Sequence, residues 1–137
     1  MRKLRGINTF RILCVLGIAL YGILFLSLVF SPDSVVKDMG EGSGSLIYFL
    51  ARRTSTLMLG FAVLLFLVRH AECSKTRAAV SVAVAVNMAG FACTGIFEYA
   101  IGRVGTPIFF SVSVELVYAF MFGAQALADY RKLRKSV

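Results

Sequence analysis

Four apolar runs, each about 20 residues long and each bounded by charged or glycine-rich segments, dominate this chain. A helix of that length rises about 30 Å, the thickness of the hydrocarbon core of a bilayer. In that core every backbone amide must be satisfied within its own helix or a closed barrel. The runs therefore predict four membrane-spanning helices, at about residues 10–30, 45–68, 78–101 and 107–130. The third begins AAVSVAVAV, an alternation that imitates a strand. Its run is too long for one, and an isolated strand leaves its backbone unsatisfied in lipid.

The punctuation agrees with this division. In SPDS (31–34), Pro32 disfavours helical geometry at Ser31 and ends the first helix. VVKDMGEGSGS reads as a flexible loop, with a short interfacial turn expected over Val35–Met39. RHAECSKTR (69–77) reads as a charged turn, and GRVGTP (102–107) as a tight one, with Pro107 suited to the first turn of helix four. MRKLR gives the chain a basic start, but the apolar stretch from Ile12 to Phe30 exceeds a usual signal-peptide core, and no A-x-A-like site follows it. A retained helix is expected. The fold class is all-α, one integral-membrane four-helix bundle over 1–137, with no strong internal repeat.

Composition removes several function classes. Charged residues make up 16% of the chain, against about a quarter in soluble domains, and they cluster between the apolar runs. The net charge of +8 does not indicate nucleic-acid binding, because almost no soluble face remains to carry it. Basic residues flanking membrane helices mark cytoplasmic loops and touch anionic lipid headgroups. Cys14, Cys73 and Cys93 lie far apart, so no disulfide framework is expected. His70 and Cys73 are too few for a structural metal, and no cofactor motif is present.

Counting Lys and Arg sets the expected orientation. One side receives Arg2, Lys3, Arg5, Arg11, Arg69, Lys75, Arg77, Arg131, Lys132, Arg134 and Lys135. The other receives Lys37 and Arg103, with Arg52 and Arg53 if they lie near that surface. Both termini are thus expected in the cytoplasm, and the acidic loop with Asp33, Asp38 and Glu41 outside.

That topology assigns depths to the charges within the runs. Arg52 and Arg53 lie roughly 10–12 Å along helix two from Ser45, and Glu115 roughly 13 Å along helix four from Thr106. Glu98 sits about one turn from the outer end of helix three. Two arginines and two glutamates are thereby expected in the outer half of one bundle. A charge at such depth costs about 2.5–3.5 kcal/mol unless it snorkels or is paired. Arg53 is expected to face inward, on the polar and small row Arg53, Thr56 and Gly60, although Arg52 has its own claim through Ser55 and Thr56. Helix three carries Ala83, Asn87, Gly90, Thr94 and Glu98 on one stripe and Ser81, Ala85, Ala89 and Cys93 on another. Small rows allow close helix approach, and Asn87 and Thr94 are expected to bond across the interface. Helix four offers Ser111, Glu115 and Tyr118 on one face, and helix one offers Cys14, Gly17 and Tyr21.

FLARRTSTLMLGFAVLLFLVRHAE, GIFEYAIG and SVSVELVYAF together resemble small bacterial four-helix membrane proteins related to the DoxX-like group. In that group an Ala-Arg pair opens the second helix, a glycine follows, and a glutamate sits in the last helix. The matching positions are Ala51–Arg52, Gly60 and Glu115, with Glu98 at an acidic position of some relatives. The resemblance implies a four-helix bundle in the bacterial inner membrane and little chemistry.

The expected function is that of a small-molecule or lipid-binding protein or accessory subunit, with a polar cluster of Arg52, Arg53, Asn87, Thr94, Glu98, Glu115 and Tyr118. Architecture, ligand binding and, last, catalysis are the competing roles for that cluster. An oligomeric transporter or channel component is the alternative, and an enzyme acting on a lipid-soluble substrate comes third. Expected partners are membrane lipids, a small apolar or amphipathic ligand, and a second copy or a membrane partner protein, but no nucleic acid.

Overall fold

The structure, a computed structural model, describes residues 9–32 and 45–135. The acidic loop and the turn expected over Val35–Met39 lie outside the described residues. Four helices form: α1 (Thr9–Phe30), α2 (Ser45–Val68), α3 (Lys75–Ala100) and α4 (Ile108–Lys135). Each is long and apolar enough to cross a membrane, and no strand occurs among the described residues. The chain is thus an all-helical, multi-pass membrane protein.

Two boundaries move relative to the apolar runs, both through helix-end chemistry. α3 begins at Lys75 rather than Ala78, because the Ser74 hydroxyl caps it by accepting the Arg77 amide at 3.2 Å. α4 extends to Lys135 rather than Tyr130, with Lys132, Arg134 and Lys135 favouring the negative end of its dipole. α3 stops cleanly at Gly102, whose φ of 74° is left-handed. The Gly102 amide donates to Tyr99 O and the Arg103 amide to Glu98 O, each at 3.0 Å, the paired bonds of a Schellman cap.

α1 packs antiparallel on α2 and α3 on α4, with α1 joining the two pairs by touching α4. One core collects Phe10, Leu13, Cys14 and Tyr21 from α1, Met58, Ala62 and Leu65 from α2, Val84 and Met88 from α3, and Phe122 from α4. A smaller one sets Ala92 against Ile108 and Val112. In lipid, such association depends on close fit more than on escape from water. Gly17 and Gly95 provide that fit. A Cβ at Gly17 would lie 2.6 Å from Leu65 Cδ1, and one at Gly95 would lie 2.9 Å from Val112 Cγ2.

The faces follow expectation on α1 and depart from it elsewhere. Cys14, Gly17 and Tyr21 are all buried. On α2 the buried column is Ser55, Met58, Ala62 and Leu65, so Arg53, Thr56 and Gly60 point outward. On α3 the buried column is Ala78, Ser81, Val84, Met88 and Ala92. It shares Ser81 with the expected small rows but otherwise runs beside them, leaving Ala83, Gly90, Cys93 and Thr94 on the outside. Bulky Val84 and Met88 fill the central core, and the small rows flank them.

Candidate functional site

Polar side chains occur in three settings along the bundle. At the end where Thr9, the 69–74 connection and Lys135 meet, Arg77 and Asp129 form a buried ion pair, with 6% and 0% exposure. Arg77 Nε donates to Asp129 Oδ2 at 2.8 Å, and a second guanidinium nitrogen donates to Oδ1, a two-pronged fit of the kind only arginine makes. Arg77 also donates to Ala71 O at 3.1 Å and lies over the Phe10 ring. Asp129 further accepts from Gln125 at 3.0 Å and from the Cys73 thiol at 3.5 Å. The pair thus ties α3, α4, the 69–74 connection and the start of α1 together. A buried pair this fully bonded is architectural.

Counting Arg77 among the flanking cytoplasmic charges missed this node. The Ser74 cap rotates Arg77 onto the inner face of the first turn of α3. Asp129 was detectable on one ground: it is the one acidic residue beside the basic stretch at the end of α4.

At the opposite end, Glu98 pairs with Arg103 at 3.5 Å, an exposed contact between the last turn of α3 and the turn that follows. Arg52 and Arg53 are both exposed, and neither forms an ion pair among the described residues. The expected inward turn of Arg53 does not occur, because the buried column of α2 passes through Ser55 and leaves Arg53 about 160° around the helix from it. Ser55 and Thr56 donate instead to the carbonyls of Arg52 and Arg53, at 2.6 and 2.7 Å. Among the described residues no arginine of α2 is bonded to Glu98 or Glu115.

Between the two ends, Asn87 donates to the Tyr21 hydroxyl at 3.0 Å, the expected bond across an interface. Tyr21 is fully buried and stacks on Phe61, with centroids 5.2 Å apart. Thr94 does not bond across; it donates to Gly90 O and Phe91 O of its own helix, at 2.6 and 3.2 Å. A threonine facing outward in lipid has those carbonyls as its nearest acceptors. Tyr118 is half-buried and lies beside Phe122.

Glu115 stands apart from both networks. It is half-buried and makes no hydrogen bond or ion pair among the described residues. It lines a cleft of about 230 Å³ shared by α1, α3 and α4, whose other walls include Leu20, Leu24, Met88, Phe91 and Ser111. Ser111 and Glu115, one turn apart on α4, are its polar groups. A larger groove of about 420 Å³ between Thr9, Leu13 and the Phe120–Lys132 stretch of α4 is shallower and carries no acid. The cleft can hold an apolar body and offer it a carboxyl at membrane depth. Among the described residues no cluster of three or more potential metal ligands occurs.

Comparison with family models, with curated proteins and with solved structures finds no match for this chain.

Proposed function

We propose that this is a binding protein or accessory subunit of the bacterial inner membrane that holds a lipid-soluble small molecule in the cleft beside Glu115. The observation that carries this reading is an acid with no partner among the described residues in the wall of an apolar cleft. An unpaired carboxyl is costly at membrane depth, and such groups mark ligand or ion sites in membrane helices. The Lys and Arg distribution supports an orientation with both termini in the cytoplasm. The DoxX-like motif positions Ala51–Arg52, Gly60 and Glu115 fit the same inner-membrane, four-helix reading.

Native mass spectrometry of the wild type and of Glu115→Gln, released from nanodiscs, tests the proposal. A small molecule retained by the wild type and absent from the variant is the expected result. Identical, ligand-free masses for both would refute it.

A second reading, an oligomeric transporter or channel component, draws on the outward rows Arg53–Thr56–Gly60 and Ala83–Gly90–Thr94. These have the composition of helix contacts yet face away from the bundle. That reading requires an assembly larger than one chain in the same spectra.

A further inference from the structure

We propose that the ligand of the Glu115 cleft is a lipophilic amine in its ammonium form, a single hydrocarbon chain or ring ending in a protonated nitrogen. This rests on the binding reading above and names the chemistry the cleft selects.

The inventory of polar atoms decides the class. Glu115 offers two acceptor oxygens, and Ser111 one hydroxyl. Among the described residues no Lys, Arg or His lines the cleft, and none is bonded to Glu115. A carboxylate or sulfonate ligand would meet a like charge with nothing to offset it. A ligand that only accepts, such as a quinone or an ester, takes one bond from Ser111 and a second only from a protonated Glu115, whereas an amine takes up that proton and pairs with the carboxylate left behind. An ammonium group donates to both oxygens and neutralises the charge that makes the site costly in lipid. The wall also includes the Phe91 and Phe110 rings, and aromatic rings attract a cation placed over them.

Size and depth narrow the class further. At about 230 Å³ the cleft falls below the roughly 300–1,000 Å³ of pockets that enclose drug-sized molecules. It accepts a head and the first part of a chain, and the remainder lies in the bilayer through its open side. Glu115 lies about 10 Å along α4 from Ile108, two turns inside a helix long and apolar enough to cross a membrane. A free single-chain amine can descend to that depth, whereas the amine of a phospholipid is held at the surface by its phosphate. The free amine is therefore the occupant.

The test uses the full chain in phosphatidylcholine nanodiscs and three chain-matched probes: dodecylamine, dodecanol and dodecanoic acid. Native mass spectrometry reads occupancy for the wild type, Glu115→Gln and the cleft-filling Leu24→Trp, each checked for wild-type helicity. If Leu24→Trp does not fold, Ser111→Phe fills the cleft from α4. The wild type should bind dodecylamine about tenfold or more tightly than either other probe, the factor a charge-assisted hydrogen bond supplies. Glu115→Gln should lose that preference, and the filled cleft should bind none of the three. Dodecanol binding as tightly as the amine, with no effect of Glu115→Gln, overturns the amine assignment but leaves the cleft as a binding site. Equal occupancy in the filled variant overturns both. Displacement of dodecylamine when phosphatidylethanolamine replaces phosphatidylcholine overturns the free amine in favour of the lipid.

Discussion

Asp129 and Glu115 lie on one helix, about 21 Å apart along α4, and their surroundings are opposite. Asp129 is fully buried and receives bonds from Arg77, Gln125 and Cys73. Glu115 is half-buried and receives none among the described residues. A fully bonded carboxylate has nothing left to offer a ligand, and its removal strands the arginine. An unbonded one contributes little to the fold and keeps its oxygens available. The end of the bundle with Asp129 is therefore built for assembly, whereas Glu115 takes no part in that network.

Breaking the pair gives the largest effect this contrast predicts. Arg77→Ala should destabilise the protein by about 3–5 kcal/mol, measured by thermal unfolding in mild detergent, because Asp129 is left buried without its cation. Replacing both, as Arg77→Met with Asp129→Leu, should recover most of that loss. A double variant no better than the single would mean that the ion pair itself, not the stranded charge, holds this end together.

Gly95→Val provides a comparison on the same helix pair without any charge. Its side chain meets Val112, which cannot swing away, and overpacking of this kind costs about 1–3 kcal/mol. Tyr21→Phe removes one neutral interhelical bond to Asn87 and should cost about 0.6 kcal/mol, typical of such bonds in membranes.

The smallest effect belongs to Glu115→Gln, expected within about 0.5 kcal/mol of the wild type in the same unfolding measurement. A loss near that of Arg77→Ala would erase the distinction between the two carboxylates and make Glu115 architectural as well.

The helices themselves were legible in the sequence. Long apolar runs admit one backbone solution in lipid, and Pro32 and the turn at 102–107 punctuate them by local turn geometry, whereas the Ser74 cap that starts α3 at Lys75 was not read. The inner face of α1 was legible too, since Cys14, Gly17 and Tyr21 share a helical column whose small members permit close approach. The polar site was only partly legible. Glu115 stands out because an acid within an apolar helix is rare, but whether another side chain bonds it cannot be read from spacing. A helix that is apolar nearly all round carries little signal of which side faces the bundle and which faces lipid.

Length, hydropathy and helix-end chemistry thus determined by themselves that the chain forms four spanning helices and roughly where each begins and ends, because those are local properties of the backbone and its solvent. Tertiary packing alone decided that Arg77 pairs with Asp129, that Arg52 and Arg53 face outward, and that Glu115 opens on a cleft. Those outcomes depend on the rotation of each helix about its axis. In lipid, that rotation is set by the fit of side chains from other helices rather than by hydrophobic periodicity.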